Sequence, residues 1–140
     1  MKTFRLIGIA IMAILISVNF ASCSSDDDEE ETSSEYKLLL GTWERSGYDT
    51  SNGGFNWSDT YSFKSNNTYS YRHTEANEID DYSGKFTYDA DTHKITCYEG
   101  NSNIVDEEYF IAEVNSTTLR LQKWSWHENN RNIYWTYTKK

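Results

Sequence analysis

The sequence contains no proline, only two cysteines and only three histidines in 140 residues. Because proline removes a backbone donor from a hydrogen-bonded ladder, its absence is compatible with a protein made of paired strands. The histidines, His73, His93 and His127, are far apart and show no metal-ligand spacing. Hydrolase, zinc-protease and phosphate-loop motifs are also missing, so we expect no catalytic residue, no enzymatic activity, no metal and no cofactor.

The sequence also lacks any cluster of lysines and arginines. The chain has a net charge of -9, and from Tyr36 onward 15 Asp and Glu residues stand against 11 Lys and Arg residues. Nucleic-acid binding requires a basic patch, so no nucleic-acid partner is expected. Docking to anionic lipid through basic side chains is not expected either. Any link to a membrane must therefore come from an attached lipid.

A short apolar run lies near the N-terminus, where Lys2 and Arg5 precede the thirteen uncharged residues Leu6–Val18. A membrane-spanning helix needs about 20 apolar residues. A shorter run that follows positive charges is typical of a secretory signal peptide, which favours cleavage over a permanent membrane anchor.

Two small residues, Ala21 and Ser22, come directly before Cys23. This order resembles the lipobox of bacterial lipoproteins, which implies a signal peptide over residues 1–22 and a lipid (palmitate) on Cys23. An ordinary secretory signal with a chance cysteine is the alternative. With Cys23 lipidated, Cys97 has no disulfide partner, and we expect it to be a small buried side chain in a strand.

The next segment is acidic, with six consecutive acids at Asp26–Glu31 and no apolar residue nearby. Like charges repel one another and cannot bury surface, so residues 23–37 are predicted to be the lipidated cysteine and a disordered tether. The acidic run also resembles the surface-export signal of Bacteroidota-type lipoproteins, which implies a lipid-anchored outer-membrane protein exposed at the cell surface. A plain spacer on a periplasm-facing lipoprotein is the alternative.

Residues 38–140 are predicted to form one all-β domain. Apolar and polar residues alternate with a period of two between turns rich in Asn, Asp, Gly and Ser, and no stretch shows a helical period. The predicted strands are Leu38–Arg45, Trp57–Lys64, Thr68–His73, Tyr82–Tyr88, Lys94–Glu99, Glu107–Val114, Thr118–Trp126 and Ile133–Lys139.

Eight short strands joined mostly by tight turns predict a single antiparallel up-and-down meander. Closing this meander into an eight-stranded barrel would remove its exposed edges. The alternation places Leu39, Gly41 and Trp43 on one face of the first strand. The sixth strand is apolar on both faces, so the pattern does not assign its inward side.

Several short motifs are shared with a known family. "LLLGTWERS", with Gly41 and Trp43, resembles the G-x-W start of lipocalins, and "YSFKSNNTYSY" and "YSGKFTYDADTHKITCY" resemble the second to fifth strands of small bacterial lipocalin-like lipoprotein domains. The resemblance covers residues 38–139. It implies a lipocalin-like barrel in which Gly41 and Trp43 close the bottom.

The body is unusually aromatic, with 20 Trp, Tyr and Phe residues against 12 Ile, Leu and Val residues from Tyr36 onward. Bulky rings could simply fill a small barrel. Alternatively, they could line a cavity or mouth that binds a small amphipathic or aromatic ligand. The predicted ligand-binding residues are Trp57, Asp59, Tyr61, Tyr69, Tyr71, His73 and Trp135.

A second aromatic motif, Trp124 and Trp126 in "KWSWHENN", would share one face of a strand. Paired exposed indoles could engage a glycan or a protein partner, while the alternative is that one of them caps the barrel. A surface interaction protein with a packed barrel is therefore the second hypothesis for function. A cavity lined by Trp57, Tyr69 and Tyr71 would favour the small-molecule binder instead.

Overall fold

The computed structural model describes residues 33–140. The predicted signal peptide, Cys23 and most of the predicted tether lie outside the described residues. The described chain has eight strands, a helix before the first strand, a 3-10 turn at Ser51–Gly53 and a second helix before the last strand. These elements are α1 (Ser34–Leu39), β1 (Gly41–Asp49), β2 (Phe55–Phe63), β3 (Thr68–Glu75), β4 (Glu78–Asp89), β5 (Lys94–Glu99), β6 (Val105–Val114), β7 (Thr118–Lys123), α2 (Trp124–Glu128) and β8 (Trp135–Lys139).

The sheet closes on itself. Each strand pairs antiparallel with the next, and β8 pairs back with β1 through Trp43 with Lys139 and Glu44 with Thr138. The predicted all-β, eight-stranded antiparallel up-and-down barrel is therefore confirmed. Among residues 33–140, no helix has the length and apolar character needed to cross a membrane.

Alternation along the strands decides which side chains fill the barrel. On β2, Asp59, Tyr61 and Phe63 are buried, whereas the residues between them are only partly covered. On β6, Tyr109 and Ile111 are the buried pair, which settles the inward side that the sequence leaves open.

One end of the barrel is closed by α1 and the start of β1. Leu39 and Trp43 are fully buried there, and the indole Nε1 of Trp43 donates to the carbonyl of Leu39 at 2.7 Å. Gly41 lies between them with φ of +128°, and a Cβ at this position would lie 2.8 Å from Cε of Lys139. Glycine is the residue that tolerates this backbone, so Gly41 allows the sharp passage from helix to strand.

The N-terminal boundary of the folded body differs from the prediction. A tether that ends just before Leu38 and a strand that starts there are both wrong, because Ser34–Leu39 form helix α1. The Ser33 hydroxyl accepts from the Tyr36 backbone N–H at 3.2 Å, which is an N-cap. A helix this short is marginal in water, so its packing against the barrel through Leu39 must stabilise it.

The connection between the last two strands also differs from the prediction. β7 ends at Lys123 and Trp124–Glu128 form α2, so the strand expected to run through Trp126 is wrong. β8 begins at Trp135, two residues later than expected. β5 has the predicted bounds, Lys94–Glu99. The remaining strands are found where they are predicted, with at least one end shifted; β4, for example, begins at Glu78 instead of Tyr82.

Candidate ligand-binding cavity

The barrel interior is packed at the end covered by α1 and hollow toward the opposite end, called the open end here. Leu39, Trp43, Phe63, Phe86 and Leu119 are all buried in the packed part. Above them lies a cavity of about 410 Å³, called the central cavity. Small-molecule sites in proteins are typically of this size.

Four of the seven predicted ligand-binding residues line the central cavity: Tyr61, Tyr69, Tyr71 and Trp135. Half of the twelve lining residues are tyrosines, and four others carry a charge. The other lining residues are Arg45, Tyr82, Cys97, Asp106, Glu107, Tyr109, Lys123 and Tyr137.

The other three predicted residues line a smaller space beside the central cavity. This side pocket, of about 300 Å³, is bounded by Trp57, Asp59 and His73. Arg45 and Tyr71 line both spaces, so they form the partition between them. All seven predicted residues thus line one of two adjacent spaces that share Arg45 and Tyr71, and their role as ligand contacts stays a prediction.

Asp59 is the centre of a hydrogen-bond network in this partition. Its side chain is buried at 3% exposure and accepts from Arg45 Nε at 2.7 Å and from the Tyr71 hydroxyl at 2.9 Å. His73 Nδ1 lies 2.6 Å from the same carboxylate, and His73 Nε2 lies 3.1 Å from Glu75. Arg45, Tyr71 and His73 therefore all make a hydrogen bond to the Asp59 carboxylate, and these bonds fix the position of the carboxylate.

Arg45 is held by aromatic faces as well as by Asp59. Its guanidinium carbon lies 5.1 Å from the ring centre of Trp57, 5.1 Å from that of Trp135 and 5.4 Å from that of Tyr137. Gly47 makes room for this arrangement, because a Cβ there would lie 2.5 Å from the Trp57 ring. The arginine is consequently a neutralised, immobile part of the wall.

The network lowers the pKa of Asp59 and raises the pKa of His73. Burial raises the pKa of Asp59, but hydrogen bonds from His73 and Tyr71 and the charge of Arg45 outweigh burial, so the pKa falls below the usual value. The pKa of His73 is raised, mainly by its hydrogen bond to Asp59 and then by that to Glu75. Both shifts favour the ionised pair.

Tyrosine hydroxyls pair with one another and with an acid around the central cavity. The hydroxyls of Tyr61 and Tyr109 lie 2.7 Å apart, and the Tyr69 hydroxyl donates to Asp106 at 2.8 Å. These bonds satisfy buried polar groups that would otherwise oppose folding.

Cys97 also lines the central cavity and is buried, as its strand predicts. Burial is the main cause of the raised pKa of its thiol, and the carboxylates of Asp106 and Glu107 add to the shift. A thiol in this state is a poor nucleophile. Within residues 33–140, no group of three or more His, Cys, Asp or Glu side chains could hold a metal ion.

The two tryptophans of α2 do not form a shared face. Residues two apart on a helix point about 200° from each other. Trp126 packs against Trp135 at 5.3 Å between ring centres, whereas Trp124 lies under Nζ of Lys94 at 4.5 Å. Of the two possibilities raised by the sequence, the pair of exposed indoles on one strand face is therefore not present, and Trp126 contacts the cavity wall through Trp135.

Eight of the twelve residues that line the central cavity are absent from the sequence prediction, among them Arg45 and Asp106. Arg45 continues the alternation of Gly41 and Trp43 along β1, so extending that pattern by one step would have found it. Asp106 could not be found in this way, because the register of β6 is irregular at this point.

Comparison with known proteins gives one family match and one similar solved structure. The model of a family described as a lipocalin-like domain matches residues 39–121, more than half of the chain. A crystal structure of a candidate lipoprotein from Shewanella oneidensis is similar, with 20% sequence identity and a TM-score of 0.48. The similarity covers 77% of this chain and 95% of that chain. No curated protein matches this chain at a significant level.

Proposed function

Because this chain belongs to the lipocalin-like domain family, we propose that it binds a small amphipathic or aromatic molecule in its barrel. The observation that carries the proposal is the central cavity of about 410 Å³, enclosed by strands and lined mainly by phenol and indole rings. Apolar walls with a few fixed polar groups are the usual composition of small-molecule sites.

The wall offers both kinds of contact that an amphipathic ligand needs. Tyr61, Tyr71 and Trp135 supply ring faces, and Tyr71 and Tyr82 stack at the mouth with their ring centres 6.0 Å apart. The polar groups are already ordered by hydrogen bonds, so a ligand would meet a wall that needs little rearrangement. Preorganisation of this kind lowers the cost of binding.

The alternative, a surface interaction protein with a packed barrel, has less support. It requires exposed paired indoles, but Trp124 and Trp126 are partly buried and point in different directions. Binding to a glycan or protein partner therefore lacks the paired exposed indoles on which that hypothesis was based.

Binding can be tested by native mass spectrometry of the full chain purified from its natural source. We expect a bound small molecule at one copy per chain in the wild type and its loss in Trp135→Ala, which removes a ring from the cavity wall. Tyr48→Ala is the matched control, because Tyr48 is 62% exposed and does not line the cavity. The absence of any bound mass, together with identical thermal shifts of wild type and Trp135→Ala in a metabolite library, would refute the proposal.

We also propose that the protein is anchored through a lipid on Cys23 in the outer membrane, with the barrel exposed at the cell surface. The order of signal-like residues before Cys23 and the acidic run after it support this location. Metabolic labelling with an alkyne palmitate should label the wild type and fail to label Cys23→Ser. Protease digestion of intact cells should remove the barrel, and protection from protease would place it in the periplasm instead.

A further inference from the structure

A β-bulge directs two neighbouring carboxylates into the central cavity. The pairing of β5 with β6 shifts between Cys97, which faces Glu107, and Tyr98, which faces Val105. Asp106 is the extra residue in this shift. In regular alternation Asp106 and Glu107 would point to opposite faces of the sheet, but here both line the cavity. Bulges commonly re-aim a side chain in this way beside functional sites.

The two carboxylates differ in their partners. Glu107 accepts from Nζ of Lys123 at 2.9 Å, so this pair is neutral. Asp106 accepts from the Tyr69 hydroxyl at 2.8 Å, which carries no charge. No lysine, arginine or histidine among residues 33–140 forms an ion pair with Asp106.

The positive groups of the wall are already occupied. Arg45 is paired with Asp59 and surrounded by aromatic rings, and Lys123 is paired with Glu107. One negative charge, that of Asp106, therefore remains without a balancing charge in the wall. The raised pKa of Tyr69, due first to burial and then to its hydrogen bond with Asp106, is consistent with a negative potential in the cavity.

Aromatic faces add to this preference. Phenol and indole rings attract cations through the negative face of the ring, more strongly where water is excluded. The wall already holds two cations in this way, since Arg45 lies against Trp135 and Tyr137 and Nζ of Lys123 lies 6.0 Å from the ring centre of Trp135. Tyr61, Tyr82 and Tyr109 line the same cavity and provide further ring surface.

We propose that the central cavity selects organic cations: molecules with an ammonium-type group on an aromatic or apolar body, the positive group lying beside Asp106. This inference rests on the proposed small-molecule function and assigns it a ligand class. An anionic ligand of the same size would meet Asp106 with no free positive group to offset the repulsion. A neutral ligand would gain no charge attraction from Asp106, which is exposed to solvent in the cavity wall.

The proposal can be tested with three probes built on one benzene ring: phenyltrimethylammonium, benzyl alcohol and benzoate. Binding of each to the full chain is measured by isothermal titration calorimetry. We expect the cation to bind at least about tenfold more tightly than the other two, which corresponds to about 1.4 kcal/mol. Asp106→Asn should weaken binding of the cation about five- to tenfold and leave that of benzyl alcohol unchanged.

Glu108→Gln is the matched control, because it removes one negative charge two residues away on the same strand. Glu108 does not line the cavity and is paired with Lys94 at 2.6 Å. Circular dichroism and the melting temperature verify that both variants fold. An equal loss in Asp106→Asn and Glu108→Gln would mean that only net charge matters, and would overturn the assignment to Asp106.

The outcomes separate this inference from the function on which it rests. Binding of benzoate or benzyl alcohol as tight as that of the cation, lost in Trp135→Ala, would overturn the cation preference and leave a small-molecule binder. No binding of any probe, with no co-purified molecule in native mass spectrometry, would refute both.

Discussion

At the scale of single residues, the ion pair between Arg45 and Asp59 separates the two spaces of the barrel. Breaking a buried pair by removing one partner is costly, because the remaining charge stays in the protein without compensation. Arg45 retains 25% exposure of its side chain, whereas Asp59 retains only 3%. Loss of the carboxylate would therefore leave a partly buried guanidinium, an unsatisfied Tyr71 hydroxyl and a His73 with one fewer partner.

We expect Asp59→Asn to lower the free energy of unfolding by about 3 kcal/mol, measured by urea denaturation. Asp81→Asn is the control, since Asp81 pairs with Arg72 on the surface with side chains 56% and 61% exposed. Surface pairs of this kind contribute little to stability, because solvent screens the two charges. Equal destabilisation by the two substitutions would show that the buried network contributes no more than a surface pair.

The raised pKa of His73 leads to a prediction about pH. A base whose pKa is higher in the folded than in the unfolded protein contributes stability that is fully present below the unfolded pKa of about 6.5. This contribution is lost as the pH rises through the higher folded pKa. The free energy of unfolding of the wild type should therefore decrease over that interval relative to His73→Gln, as measured by urea denaturation between about pH 5.5 and about pH 9. If the free energy of unfolding changed with pH in the same way in the two proteins, the raised pKa of His73 would be contradicted.

At the scale of elements, α1 acts as the lid of the packed end. Its sequence, with a serine cap and an acid in the first turn, suits a helix start. Six residues are too few to reveal a helical period, and the three consecutive leucines at the end of the helix, residues 38–40, can also be read as a strand. The helix could therefore not be predicted from the sequence, because the packing of Leu39 against the barrel is what stabilises it.

Neighbouring leucines of α1 allow a direct test of this role. Leu39 is fully buried, whereas Leu38 is 36% exposed. We expect Leu39→Ala to lower the free energy of unfolding by about 2–5 kcal/mol, because it leaves a cavity in the packed end. Leu38→Ala should cost less than about 1 kcal/mol in the same urea titration. Comparable losses would mean that α1 is not the element that closes the barrel.

The bulge in β6 shows where the alternation rule no longer predicts which side chains point into the barrel. The rule places inward residues correctly on β2, where the pairing with both neighbours is regular. It fails at Asp106, because a single extra residue reverses the facing of the chain beyond it. The sequence pattern placed seven residues around the two spaces, but it could not place the carboxylate of Asp106 in the wall.

At the scale of the whole molecule, closure of the sheet couples all strands to one another. No edge remains among the eight described strands, so loss of one strand would expose two neighbours at once. The order of the strands follows the sequence, which is why turns and alternation were enough to predict the barrel. The division of its interior into packed and hollow parts depends on how rings from eight strands meet, which local patterns do not encode.

The cooperativity of the strands can be measured by the rate at which Cys97, which is 1% exposed, reacts with a thiol reagent. In a Cys23→Ser chain, where Cys97 is the one remaining thiol, we expect a thiol reagent to react slowly with the native protein. The rate should rise with urea in parallel with global unfolding, because a closed barrel opens as one unit. Fast labelling without urea would mean that the barrel opens locally near β5.

Both ends of the described chain lie at the packed end of the barrel. Ser33 begins the helix that covers this end, and Lys140 forms a backbone hydrogen bond from its N–H to the carbonyl of Thr42 at 2.9 Å. The mouth of the central cavity opens on the other side. A sensor surface, affinity resin or fluorescent fusion attached after Lys140 would therefore leave the mouth unobstructed, so an immobilised form can serve for ligand capture directly from crude extracts.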